Sequence, residues 1–221
     1  SPLVPSEQVP QYQDLSFKLN FPTQKLGTFS IWGIGALDQN VQPVLDDSTS
    51  WTQEFDRFSY DFSQKTAATG LTHRKIFGNK TFLHSTLVAS ANQFIMDMRR
   101  LNDHLVLDDN WYGNNMEGKL TLKTYVNHKF GESHTMRAGI ILNDLFYDLE
   151  NKAALGNILP LDTLSDEQGH TRRLEAFAQS RLKLTPNTLL NIGLHTTYFE
   201  LNREFLTEPR LGVSQQIGDA Q

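Results

Sequence analysis

Polar and apolar residues alternate with period two along most of this chain, the spacing of a strand with one apolar face. The segment 119–130 shows it best. Leu120, Leu122, Thr124, Val126 and Phe130 fall on one face, and Lys119, Thr121, Lys123, Tyr125, Asn127 and Lys129 on the other. Further on, Met136, Ala138, Ile140, Leu142 and Phe146 oppose Arg137, Gly139 and Asn143. Leu174, Ala176, Ala178, Leu182 and Leu184 stand against Arg173, Glu175, Gln179, Arg181 and Lys183. Leu190, Ile192, Leu194 and Tyr198 oppose Asn191, Gly193, His195 and Thr197. The start of the chain repeats the pattern, with Leu15, Phe17, Leu19 and Phe21 opposite Ser16, Lys18 and Asn20.

The alternation predicts about nine strands, at 11–21, 26–38, 57–77, 81–98, 114–130, 134–149, 169–185, 189–204 and 208–217. The third is the least regular, because Lys65-Thr66-Ala67-Ala68-Thr69-Gly70 alternates poorly. Short polar turns punctuate the series at Pro22-Thr23-Gln24-Lys25, Gly78-Asn79-Lys80, Gly131-Glu132-Ser133 and Pro186-Asn187-Thr188, spaced about 55 residues apart. A fifth begins at Gly218-Asp219-Ala220-Gln221. Between them lie longer connections rich in Asp, Asn, Thr and Ser, at 39–56, 99–113 and 150–168. Tight turns at one end and long loops at the other are the asymmetry of a transmembrane β-barrel. The expected fold is therefore all-β: an antiparallel up-and-down meander of about nine long strands, part of a transmembrane β-barrel.

Composition leaves that expectation standing. Hydrophobic residues make up 38% of the 221 and mean hydropathy is −0.43, so no transmembrane helix is available. A membrane barrel has the same composition, since only alternate strand residues face lipid. The strands exceed the soluble average of about 5–6 residues and reach the roughly 9–11 that a tilted crossing needs. Aromatics gather toward the strand ends: Phe21, Phe29, Phe77, Phe82 and Phe130 near the short turns, with Phe94, Trp111, Tyr112, Phe146, Tyr147, Tyr198 and Phe199 toward the long loops. Phe82 to Phe94 spans about 40 Å of strand, or roughly 30 Å when tilted, the separation expected of two aromatic girdles.

A net charge of −5 gives no electrostatic case for nucleic acid, and the absence of cysteine removes disulfide and thiolate chemistry. Adjacent His84 and Ser85 point to opposite faces of a strand, which removes the imidazole as a base for that hydroxyl; no enzyme activity is expected. Asp46-Asp47 and Asp108-Asp109-Asn110 are rich in oxygen ligands but lack EF-hand spacing, so solvated loop tips are the plainer reading. His73, His128, His134, His170 and His195 show no metal-ligand spacing, and no cofactor is expected. The polar faces carry Lys119, Lys123, Lys129, Arg137, Arg173, Arg181 and Lys183 against Glu175, a surface that attracts anionic ligands or pairs with acidic groups on a plug. The loop aromatics Trp51, Trp111 and Tyr112 are the candidate ligand-binding residues, able to stack on a sugar ring or flat chelate, or else to anchor the loops.

Three regions carry a family resemblance. Pro10-Gln11-Tyr12-Gln13-Asp14-Leu15-Ser16-Phe17-Lys18-Leu19-Asn20, followed by Gly27-Thr28-Phe29-Ser30-Ile31-Trp32-Gly33-Ile34-Gly35, resembles a strand pair from the barrel of TonB-dependent outer-membrane receptors. Lys129-Phe130-Gly131-Glu132-Ser133-His134-Thr135-Met136-Arg137-Ala138-Gly139 is similar to their periplasmic hairpins, and Glu208-Pro209-Arg210-Leu211-Gly212-Val213-Ser214 to a strand start in their later barrel half. The resemblance implies an outer-membrane importer of a glycan, siderophore or cobalamin-type ligand. Its barrel would have 22 strands and be energised by the TonB complex through an N-terminal plug. Its partners would be outer-membrane lipid and a surface lipoprotein. Nothing in 1–221 matches the plug, so the chain is expected to be an internal, single-domain barrel portion, truncated at both ends. The alternatives are a passive porin or adhesin barrel, a soluble carbohydrate-binding β-sandwich, and a barrel hydrolase. The sandwich predicts an apolar core between two sheets.

Overall fold

The computed structural model describes residues 10–45, 47–155 and 160–218. These form one nine-stranded sheet whose spatial order equals the chain order, every neighbour antiparallel. The strands are β1 (Gln11–Thr23), β2 (Gly27–Gln42), β3 (Phe58–Phe77), β4 (Thr81–Leu101), β5 (Leu107–Lys129), β6 (His134–Ala153), β7 (Asp162–Thr185), β8 (Thr188–Phe199) and β9 (Glu204–Gln215). Each of the four predicted short turns joins a hairpin at one end of the sheet. Gly27 (φ 92°) and Gly78 (φ 62°) take the left-handed conformations that tight turns demand. In the first turn Thr23 accepts from the Leu26 amide at 3.0 Å and donates to the Gly27 carbonyl at 2.7 Å. The fifth turn falls largely on 219–221, outside the described residues.

Cross-strand register fixes the two faces, because directly paired residues point the same way. One row runs Leu19–Ile31–Leu71–Leu87–Leu122–Leu142–Leu174–Tyr198–Phe205 through all nine strands. The opposite face carries Lys18, Arg74, Lys123, Arg137, Glu175, His195 and Arg210. The apolar alternation thus adds up, strand by strand, to a single apolar face. β3 is continuous despite its weak alternation, since Ala67 and Ala68 pair normally on both sides.

Large aromatics lie across glycines on the neighbouring strand. Trp32 covers Gly70 so closely that a Cβ there would sit 2.6 Å from the indole, and Tyr147 covers Gly169, where the distance would be 2.8 Å. Phe17 and Phe146 do the same over Gly33 and Gly118 on the apolar face. Glycine costs a strand some stability, and the ring restores the lost apolar contact.

A second layer is missing. Among the described residues Leu101 is the one buried apolar side chain. The chain exposes 15663 Å², against about 10,000 Å² for a compact protein of its mass. Leu15, Phe17, Leu87, Leu122, Ile140 and Leu211 are all at least a third exposed. A soluble two-sheet sandwich is thereby ruled out for the described residues, since it needs a buried core.

Three sequence expectations need correction. The connections at 99–113 and 150–168 are mostly strand, as β5 begins at Leu107 and β7 at Asp162. Beyond the apolar band both faces of these strands are polar, so alternation gives no signal there. The β8–β9 connection is short, as the expected strand bounds imply, but lies at 200–203 rather than 205–207. Finally, Phe82 and Phe94 lie on the polar face, in line with Arg74 and Gln64, and do not mark girdles. The apolar face places His134 and Phe146 twelve residues apart on β6 instead, about 40 Å of strand. At the short-turn end Phe29 stacks on His73 at 4.5 Å, and Phe130 on His134 at 4.7 Å.

Candidate functional site

The polar face of β5–β9 holds a connected chain of side chains. Thr121 donates to Asn143 at 2.8 Å, and Asn143 donates to Glu175 at 3.1 Å. Arg173 Nε donates to the same Glu175 oxygen at 2.9 Å. His195 sits between two carboxylates, its Nε2 3.1 Å from Glu175 and its Nδ1 3.3 Å from Glu208. Arg210 completes the ladder on Glu208 at 2.8 Å. Period two makes this possible: Arg173 and Glu175 on β7, and Glu208 and Arg210 on β9, are each two residues apart and so share a face. Asn143 is only 4% exposed, and its amide and carbonyl are both occupied by the ladder. Glu208 adds a carboxylate beside Glu175, on a face that also carries Asp14, Asp38 and Glu117.

Toward the short turns the same face opens into a hollow of about 740 Å³. Lys123, Arg137, Arg181 and Arg210 stand around it, with Gly193 and Gly212 among its lining. Arg137 lies 4.9 Å from the Tyr125 ring centre and Lys123 6.0 Å, while Tyr125 also stacks on His84 at 5.1 Å. Among the described residues, Arg210 alone of the four cations has a carboxylate partner.

At the opposite end, the 43–57 connection is tied down by its own charges. Two short 3-10 turns, Ser48–Ser50 and Glu54–Arg57, organise it. Asp56 accepts from the Thr52 and Gln53 amides at 2.7 and 3.0 Å, which holds its carboxyl below the usual range. Arg57 donates twice to the Leu101 carbonyl and pairs with Asp103 at 3.0 Å, lowering the Asp103 pKa as well. Arg100 pairs with Glu54.

All three predicted ligand aromatics have neighbours within the protein itself. Trp51 donates to the Leu45 carbonyl at 2.8 Å and lies under Arg57, 5.4 Å from the ring centre. Trp111 packs on Gly113 on the polar face. Tyr112, its neighbour in β5, points to the other face, where Lys152 lies 5.9 Å from its ring. Trp111 and Tyr112 therefore do not form one platform. His84 and Ser85 lie on opposite faces, Ser85 bonded to Thr124 at 2.7 Å. Asp46 is outside the described residues; Asp108 and Asp109 alternate along β5 and point apart. Sequence reasoning did not single out Asn143, Glu208 or Arg210 as site residues. Only the alternation in Glu208-Pro209-Arg210 hinted at the last two.

No protein-family model matches the chain, and no curated protein matches it. Among solved structures, it is similar to the ferric-catecholate import receptor Fiu from E. coli K12 in its open form, with a TM-score of 0.62 at 11% identity. The match covers 94% of this chain and 38% of the receptor. The chain thus spans little more than a third of that receptor's length. At this identity the likeness shows the fold: an antiparallel meander of the kind that builds the wall of a β-barrel receptor.

Proposed function

We propose that this chain forms part of the barrel wall of an outer-membrane, TonB-dependent nutrient importer. The apolar face, exposed across all nine strands and opposite a polar face, carries the reading. Water does not tolerate so large an apolar surface, and lipid requires one. The polar face is then the lumen, the four short turns are periplasmic, and the 43–57, 102–106, 154–161 and 200–203 connections are extracellular. The neighbour's import of a ferric catecholate favours a metal-chelate cargo over a glycan. Transport would be driven by the TonB complex acting on a plug, and a surface lipoprotein would be a further partner. The chain acts by binding and conducting a ligand, without covalent chemistry.

Adjacent substitutions on β4 test it in the full-length protein. Leu87 shares the apolar row with Leu71 and Leu122, and Thr86 faces the other way. Leu87→Arg is expected to cost about 2–4 kcal/mol near the bilayer midplane and to deplete the protein from outer-membrane fractions. Thr86→Arg is expected to leave insertion unchanged. Equal tolerance of the two arginines would defeat the membrane reading.

A further inference from the structure

We infer that the short-turn rim of the apolar face, across β3–β6, docks the phosphate headgroups of anionic glycerophospholipids. The inference rests on the barrel reading, in which this rim meets the periplasmic leaflet. On the apolar face His73 and Lys75 come from β3, His128 from β5 and His134 from β6, and Lys80 stands in the turn between β3 and β4. Three strand spacings, about 14 Å, separate the first of these strands from the last. Phenylalanines on the same face seat the polar groups. Phe29 stacks on His73, Phe130 meets His128 edge-on at 4.5 Å and stacks on His134, and Lys75 lies 5.1 Å from the Phe77 ring. Flat rings that carry a polar atom favour the boundary between lipid and water.

Each imidazole is held by one ring nitrogen and keeps the other. His73 Nε2 donates to the Leu26 carbonyl at 2.7 Å, His128 Nδ1 lies 2.6 Å from the Thr81 hydroxyl, and His134 Nε2 lies 3.2 Å from that of Ser180. Among the described residues the second nitrogen of each has no hydrogen-bond partner, and no carboxylate pairs with Lys75 or Lys80. Glu132 is the one carboxylate in 73–81 and 127–137. Closing the barrel does not change this, because β3–β6 each have a neighbour on both sides and this face is turned away from the lumen. The far end of the same face is built the opposite way. There Arg99 pairs with Asp97, Lys152 with Glu150 and Arg172 with Asp144, all within the protein. Complementarity to an anionic headgroup thus lies at the short-turn rim. Ammonium and imidazole N–H groups both donate to phosphate oxygens, and each lysine beside an anionic surface adds to the attraction.

The test reconstitutes the full-length protein in vesicles of phosphatidylcholine and phosphatidylglycerol in equal amounts. Insertion is verified separately by protease protection, and the lipids retained after mild extraction are counted by native mass spectrometry. Phosphatidylglycerol is expected to be retained about twentyfold over phosphatidylcholine, from two lysines at about fivefold each, and the preference is expected to shrink at high salt. Lys75→Gln and Lys80→Gln are each expected to lower it about fivefold, while Lys75→Arg keeps it. His134→Phe, which retains a ring and removes the nitrogens, is expected to lower it to a smaller extent. Arg99→Gln, at the far end of the face, is expected to leave it unchanged. A wild-type protein that does not insert overturns the barrel reading and the lipid site with it. Insertion with equal retention of the two lipids, or equal losses in Arg99→Gln and Lys75→Gln, overturns the lipid site alone. Displacement of the lipid by excess inorganic phosphate assigns the rim to the free ion, and a homo-oligomer lost in Lys75→Gln without lipid preference assigns it to a protein contact; either overturns the site.

Discussion

Glu175 is the joint of the polar ladder, accepting from Asn143 and Arg173 on one oxygen and facing His195 with the other. Its side chain is 12% exposed, so water replaces little of what its removal would take away. Glu175→Ala leaves the buried Asn143 amide without its partner and Arg173 without its carboxylate. The expected loss is about 2–4 kcal/mol in equilibrium unfolding. Glu175→Gln keeps an acceptor for Asn143 and is expected to cost less. Asp56 acts differently, because its work is confined to an exposed loop. Its folded pKa is depressed by the Thr52 and Gln53 amides, so its contribution is present above the ordinary value of 3.8. That contribution is lost as pH falls through the lower, folded value. Hydrogen exchange at those two amides, corrected for intrinsic rates, is expected to show protection at neutral pH that disappears below pH 3.8. Asp56→Asn is expected to reduce that protection at neutral pH and to flatten its pH dependence.

Between neighbouring strands, pairs of ring and glycine replace the interlocking that a second layer would provide. Trp32 over Gly70 is the clearest, because a Cβ at Gly70 would sit 2.6 Å from the indole. Gly70→Ala is expected to destabilise by about 1–3 kcal/mol through displacement of the ring. In the Trp32→Ala background the same change is expected to be close to neutral, and the coupling is read from a double-mutant cycle. The strands themselves were legible: nine were expected, nine are present, and all four short turns join the hairpins assigned to them. Their upper ends were not, since residues such as Asp108, Asp109 and Asn110 carry no apolar alternation once the strand leaves the apolar band. Strand pairing there is held by backbone bonds to β4 and β6, which composition does not reveal.

Across the whole molecule, the sheet is one layer deep, and its stability belongs to two environments rather than to a core. β1 and β9 each have one neighbour among the described residues, so each presents an unpaired row of backbone groups. Such edges are tolerated in lipid only when another strand covers them. The period-two alternation by itself determined the fold class and the face each strand residue would take, because a side chain's direction in a strand follows from its parity alone. It also showed a cationic excess on one face. Only the tertiary register decided which charges meet. Glu175, His195 and Glu208 lie on three different strands, 20 and 13 residues apart in sequence. Among the described residues, register likewise pairs none of Lys123, Arg137 and Arg181 with a carboxylate while giving one to Arg173. Parity is local and can be read along one strand; partnership depends on the offset between strands, which hairpin geometry sets residue by residue.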